Sequence, residues 1–458
     1  MQIPESVNPA APGNPLSRTS SAYATRVSLI AALGGFLFGF ETAVISGAEQ
    51  IIQKLWSLSS FLQGFTVASS LIGTVIGSVI ASAPAQKYGR KKILIVIAIL
   101  YLISAIGCAL TYTWALFVLC RFIGGIAVGA SSVVGPTYIS EVAPPKIRGR
   151  LAGSFQLLIV TGIFVAYLTN FLFADFGDSG WRWMLGIMVV PALLFWILLR
   201  FIPESPRWLV LNNRDAEAAA IFAKTGETAA GELIREEHLL SLRGTKERLF
   251  SGKFNKPILY AVLLAMFNQL SGINAILYYA PRIFEMAGFD KADAYLQPVY
   301  IGFFNLLFTI LAMTMIDKFG RKKLLLVGSA GMIVFLALTA YAFSASTGGN
   351  KLVLVYLIGF IGFFGFSQGA VIWVFISEIF PNSIRSKGMS LGSFTHWIMA
   401  AIISWTFPSV VENIPNGGVY AFVFYSLMMV VAFVFIWKVM PETKGRSLEQ
   451  IQKDLGIE

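Results

Sequence analysis

Ionisable and sulfur-bearing side chains are scarce in this chain. Only 13% of its 458 residues are Asp, Glu, Lys or Arg, and it holds two cysteines and two histidines. Soluble domains carry roughly twice that charged share. Cys108 and Cys120 both lie in apolar stretches, which argues against a disulfide framework or a thiolate metal centre. His238 and His396 are the whole histidine complement, and the apolar runs contain no Ser–His, paired-carboxylate or metal-ligand arrangement. These absences argue against an enzyme, and no cofactor is expected. An apolar core is also missing from the first 25 residues, which are polar and rich in Pro, Ser and Ala. Residues 1–26 are therefore expected to be a disordered cytoplasmic lead, with no cleaved signal needed.

What is abundant is hydrocarbon. Hydrophobic residues make up 56% of the chain and mean hydropathy is +0.72. Crossing about 30 Å of bilayer takes about 20 apolar residues. Twelve such runs occur, near 27–47, 62–83, 93–113, 115–138, 152–174, 183–202, 257–280, 296–316, 324–345, 352–376, 389–411 and 419–440. The expected fold class is an all-α polytopic membrane protein with a lipid bilayer as its solvent. The net charge of +11 comes from loop placement, so no nucleic-acid partner is expected. One set of loops carries Lys87, Arg90, Lys91 and Lys92, then Lys146, Arg148 and Arg150, then Lys318 with Arg321 to Lys323, then Arg385 and Lys387. The opposite loops carry little beyond Lys54, Arg182, Lys291 and Lys351. The positive-inside rule then puts both termini in the cytoplasm.

The chain repeats itself. Ser140-Glu-Val-Ala-Pro-Pro-Lys-Ile-Arg recurs as Ser377-Glu-Ile-Phe-Pro-Asn-Ser-Ile-Arg at an offset of 237, Gly89-Arg-Lys-Lys recurs at Gly320 with an offset of 231, and Pro203-Glu at Pro441 with an offset of 238. Three landmarks at nearly one offset imply a duplicated six-helix unit, which is the logic of transporters that rock about a midplane site. The expected organisation is a bundle over 27–202, cytoplasmic linker helices over 203–256, a second bundle over 257–440 and a cytoplasmic tail over 441–458.

Within the first run, Gly34 to Gly47 encloses one carboxylate, Glu41. A charged side chain at mid-bilayer costs about 2.5–3.5 kcal/mol on insertion scales, so such an acid implies a function and a partner. The expected partner is Arg121, which opens Arg-Phe-Ile-Gly-Gly-Ile-Ala-Val-Gly, where small residues let helices approach closely.

Taken together, Gly34 to Gly47, Gly89-Arg90-Lys91, Arg121 with Gly124 and Gly125, Pro136 to Gly149, Pro203 to Arg207, Asn268 to Asn274, Tyr278-Tyr279, Asp317 to Arg321, Trp373 with Ser377-Glu378, and Pro441 to Gly445 resemble the sugar porter family of the major facilitator superfamily. The resemblance runs over 27–450. It implies two pseudo-symmetric six-helix bundles around a monosaccharide and a chain that works as a monomer in a plasma membrane, such as a bacterial inner membrane. A pyranose has hydroxyls that donate and accept, and apolar faces, so its site wants amides and an indole. Gln156, Asn268, Gln269, Asn274, Asn305, Trp373, His396 and Trp397 supply that set within the runs, and helical spacing lets Tyr278 share a face with Asn274. The resemblance assigns sugar contacts to Gln156, Gln269, Asn274, Asn305, Trp373 and Trp397. Asn268 stands where relatives often have glutamine, Ala370 replaces a customary proline and so suggests a milder break in the tenth helix, and His396 replaces an amide.

Proton-coupled members carry an aspartate where Glu41 stands, and facilitative members a neutral amide. Glu41 and Arg121 are therefore expected to couple sugar import to a proton, and a facilitative uniporter is the alternative. Arg90, Glu141, Arg148 and Glu204, with their repeats Arg321, Glu378, Arg385 and Glu442, are expected to form a cytoplasmic ion-pair gate that holds an outward-facing state.

Overall fold

The computed structural model describes residues 18–226, 234–235, 248–345, 351–381, 383–446 and 448–457. Most of the expected disordered lead, His238 and much of the linker lie outside these residues. Among those described, twelve helices are long and apolar enough to span a membrane. They are α1 (Thr19–Leu55), α2 (Ser60–Ile80), α3 (Arg90–Leu110), α4 (Trp114–Val142), α5 (Pro145–Phe173), α6 (Gly177–Phe201), α7 (Asn255–Tyr278), α8 (Lys291–Met315), α9 (Arg321–Ser344), α10 (Leu352–Ile379), α11 (Arg385–Asn413) and α12 (Gly417–Lys438). The chain is a multi-pass membrane protein.

Helix starts follow local chemistry. The Ser59 hydroxyl accepts from Leu62 N at 3.3 Å to cap α2, and the Asp290 carboxylate accepts from Asp293 N at 2.8 Å to cap α8. One expectation is corrected here: residues 18–26 are helical, so α1 begins ahead of residue 27. The reason is tertiary. Ala24 is fully buried, and the Tyr23 ring lies 5.8 Å from Lys224 Nζ on the linker helix Asp215–Thr225, which gives this polar turn a packing partner.

Packing repeats with the sequence. In the first half α1 packs on α5, α2 on α4, and α3 on α4 and α6; in the second half α7 packs on α11, α8 on α10, and α9 on α10 and α12. The halves meet where α2 lies on α11 and α5 on α8. Glycines set the closest approaches. A Cβ on Gly125 of α4 would fall 1.8 Å from the Ser70 carbonyl oxygen of α2. Gly125→Ala must therefore push two backbones apart, and a loss of about 1–3 kcal/mol or more is expected. Thermal unfolding of the purified protein checks this: a melting temperature within a degree of the parent's would mean that the helices part freely.

The break in α10 takes a definite form. Gly365–Gly369 is a single π turn between α-helical Leu352–Phe364 and Ala370–Ile379, so the helix bulges without the customary proline. π turns of this kind concentrate at functional sites.

Candidate functional site

Both halves tie off the basic-loop end with the same polar knot. Arg90 Nη2 donates to Glu141 at 2.9 Å and Arg321 Nη2 to Glu378 at 3.0 Å. The second oxygen of Glu141 accepts from the Ser205 hydroxyl at 2.5 Å, and that of Glu378 from the Thr443 hydroxyl at 2.6 Å. Glu204 accepts from Lys91 N at 3.0 Å at the start of α3; Glu442 accepts from Arg321 N at 2.9 Å and Lys322 N at 3.1 Å at the start of α9. A carboxylate on the free amides of a helix N-terminus satisfies those donors and meets the positive end of the dipole. Gly89 (φ +101°) and Gly320 (φ +88°) provide the left-handed backbone this requires.

Of the expected gate, the ion pairs Arg90–Glu141 and Arg321–Glu378 form, each within one half. Glu204 and Glu442 are corrected: they serve as helix caps and not as ion-pair partners. Arg148 Nε donates to the Ala143 carbonyl at 3.3 Å, and Arg385 Nε is buried with no hydrogen-bond partner among the described residues.

Glu41 and Arg121 do meet. Arg121 Nη1 on α4 is ion-paired with Glu41 Oε1 on α1, and their side chains are 1% and 4% exposed. Gly124 makes room, since a Cβ there would fall 2.9 Å from that same carboxylate oxygen. Nε and Nη2 of Arg121 are buried without a partner among the described residues, so the guanidinium keeps unused donors beside the acid. Tyr278, at the end of α7 in the other half, faces Thr42 and lies within electrostatic reach of both ions.

The amides of α7 form one network. Gln269 Nε2 donates to Asn268 Oδ1 at 2.8 Å, and Gln269 Oε1 accepts from Asn274 Nδ2 at 2.8 Å. The same Nε2 lies 3.2 and 3.3 Å from the two ring nitrogens of His396 on α11. Gly272 (φ +82°) turns the chain between Gln269 and Asn274, which brings their side chains together. His396 sits between indoles, 5.1 Å from the Trp373 ring and 4.9 Å from the Trp397 ring. Trp397 in turn lies 5.6 Å from Phe38 on α1, which carries the cluster across to the first half.

Three expected residues behave differently. Asn268 spends its Nδ2 on the Gln368 carbonyl in the π turn at 3.1 Å, so it braces α7 against α10. Asn305 on α8 is buried at 8% exposure and Gln156 on α5 is exposed; among the described residues neither has a hydrogen-bond partner, so neither joins the Gln269 cluster. An exposed amide midway along a membrane helix faces either lipid or a water-filled chamber.

Sequence reasoning missed a second polar cluster at the end opposite the basic loops. There Arg282, on the short helix Ala280–Met286 that prolongs α7, joins Glu49 on α1 and Glu412 on α11. The available signal was a second acid, Glu49, eight residues beyond Glu41 in the same apolar helix. Cross-half hydrogen bonds gather at this end. They include Tyr295 Oη to the Gly47 carbonyl at 2.7 Å, Asn413 Nδ2 to the Ser60 hydroxyl at 3.0 Å and Trp405 Nε1 to the Phe61 carbonyl at 3.2 Å. The structure is closed there.

Two like halves, closed at one end around buried polar clusters at mid-helix depth, define a membrane transporter of the major facilitator fold. The chain belongs to the family described as "Sugar (and other) transporter", which it matches over residues 27–455; it is a transporter and not an enzyme. It is 37% identical to the arabinose-proton symporter of Bacillus subtilis (strain 168), an alignment that covers 96% of this chain and 97% of that protein. It is likewise 37% identical to the D-xylose-proton symporter of Escherichia coli (strain K12), with 94% and 96% covered. Among solved structures, the inward open conformation of the xylose transporter XylE from E. coli superposes with a TM-score of 0.84 at 35% identity, over 94% of this chain and 99% of that one. XylE bound to 6-bromo-6-deoxy-D-glucose superposes with a TM-score of 0.79 at 35% identity, over 95% and 100%.

Proposed function

We propose that this protein imports a monosaccharide, a pentose or hexose, together with a proton, by alternating access between two bundles. The observation that carries this reading is the buried Glu41–Arg121 pair with its unused guanidinium donors, set beside Tyr278 at the end of the α7 amide network. Proton symporters of arabinose and xylose among the relatives support it. In this reading the basic loops are cytoplasmic and the Arg282 end is outside. The structure then corresponds to an inward-facing state, supported by its TM-scores of 0.83 and 0.84 with inward-open forms of XylE.

Sugar hydroxyls would exchange hydrogen bonds with Gln269 and Asn274, and with Gln156 and Asn305, whose amides hold no partner among the described residues. Trp373 and Trp397 would offer apolar faces to the ring. Burial disfavours the Glu41 carboxylate and the adjacent guanidinium favours it, so their separation sets its proton affinity. Opening to the outside parts the ions and Glu41 takes a proton. The neutral acid then frees Arg121, the bundles close over the sugar, and the restored pair expels the proton inward. The proton is the only co-substrate required.

Uptake by a sugar-transport-deficient cell, with a panel of competing sugars, tests this. Accumulation should collapse when a protonophore is added; concentration that persists unchanged would favour another energy source, and uptake that only ever equilibrates would favour a uniporter.

A further inference from the structure

Arg282 holds two carboxylates at once, one from each half. Its Nε and Nη2 donate to the two oxygens of Glu49 on α1 at 2.8 and 2.7 Å, and Nη2 also donates to Gln53 Oε1 at 2.5 Å. Its Nη1 is ion-paired with Glu412 on α11, in its own half. Gln53 Nε2 closes the ring across the halves, donating to Glu412 at 3.0 and 3.2 Å. Glu49 is fully buried and Arg282 is 7% exposed.

Each ion also owns a partner that stays with it if the halves part. Arg282 keeps Glu412. Glu49 keeps Gln63 on α2, whose Nε2 donates to the Glu49 carboxylate at 2.9 Å and to its backbone carbonyl at 2.7 Å. A fork-to-carboxylate bond this buried would be costly to break if it stranded both ions. Here separation leaves the guanidinium compensated, and only Glu49 loses its counter-ion. The nearest tyrosines do not replace it: Tyr279 Oη donates to the Ser404 carbonyl at 2.8 Å and Tyr295 Oη to the Gly47 carbonyl at 2.7 Å. The cluster holds one cation against two anions.

We propose that Glu49, Arg282 and Glu412 form a clasp over the outer end, in which the fork from Arg282 to Glu49 is the bond that parts when the halves open and Glu412 holds the guanidinium in its own half. The proposal adopts the orientation given above but is independent of Glu41.

The test uses full-length protein in lipid nanodiscs without sugar, with Cys108 and Cys120 replaced by Ser. Spin labels go at Tyr112→Cys in the first half and Tyr420→Cys in the second, positions 84% and 57% exposed. Glu49→Gln should raise the ratio of long to short inter-label distances roughly 5- to 10-fold. Glu412→Gln, by removing the competitor for Arg282, should lower it. Should Glu49→Gln fail to fold, Gln63→Met, which removes the own-half partner, should shift the ratio towards closure. Shifts of the same sign for Glu49→Gln and Glu412→Gln would overturn the proposal. Glu41 is unchanged in these variants, so that outcome is separate from failure of the Glu41 coupling reading.

Discussion

Replacing Glu41 by Gln is expected to abolish uphill sugar accumulation while leaving counterflow of labelled sugar intact. Moving one proton through 100 mV supplies about 2.3 kcal/mol, which sustains roughly 50-fold accumulation of a co-transported neutral sugar. The carboxamide keeps the shape of the side chain and can still accept from Arg121 Nη1, but it takes up and releases no proton. The bundles can then exchange sugar for sugar without doing work, and the accumulation ratio falls from that level to about one, as for any carrier cut off from its driving ion. Filters loaded with proteoliposomes under an imposed gradient measure both quantities. A variant that still concentrates sugar would sink the assignment of Glu41, and one that loses counterflow as well would make the pair structural.

Gln269→Ala should have the next largest effect. Gln269 is the hub of the α7 amides, bonded to Asn268 and Asn274 and set against His396. Removing it leaves a buried acceptor on Asn268 and a donor on Asn274 unmet, at about 1–3 kcal/mol each, and takes an amide from the proposed sugar site. The apparent affinity for sugar should weaken by about 10- to 100-fold, equivalent to about 1.4–2.8 kcal/mol. Quenching of Trp373 and Trp397 emission on sugar titration reads binding directly. An amide that merely joins helices predicts the opposite split: a lower melting temperature with affinity unchanged. Gln269→Asn, which keeps the chemistry and shortens the arm, should recover part of the affinity.

Much of the architecture is readable from residue order because hydrophobic length is a local property. About 20 apolar residues span a bilayer whatever lies beside them, so the twelve spans fall out of hydropathy alone. The duplication was legible for a related reason. Ser140-Glu and Ser377-Glu, or Gly89-Arg and Gly320-Arg, recur because each half needs the same knot at its basic end, and the matching distances of 2.9 and 3.0 Å in Arg90–Glu141 and Arg321–Glu378 bear this out. The Glu41–Arg121 pair was within reach because a lone acid and a lone base, each deep in an apolar run, have few other partners.

Residue order could not say which way a polar group turns once several partners compete. Glu204 and Glu442 read as gate acids, yet each lies on free helix amides, because a dipole end nearby outcompetes a guanidinium farther off. Asn268 reads as a sugar ligand, yet it braces the π turn of α10. The clasp was invisible for the same reason: Arg282 and Glu49 are 233 residues apart, and Arg282 and Glu412 are 130 apart. Hydropathy and the repeated motifs determined that this chain threads a membrane twelve times as two copies of one unit. Which charges face each other between the copies was decided by packing, since contacts across that interface depend on where whole helices come to rest and leave no periodic trace along either one.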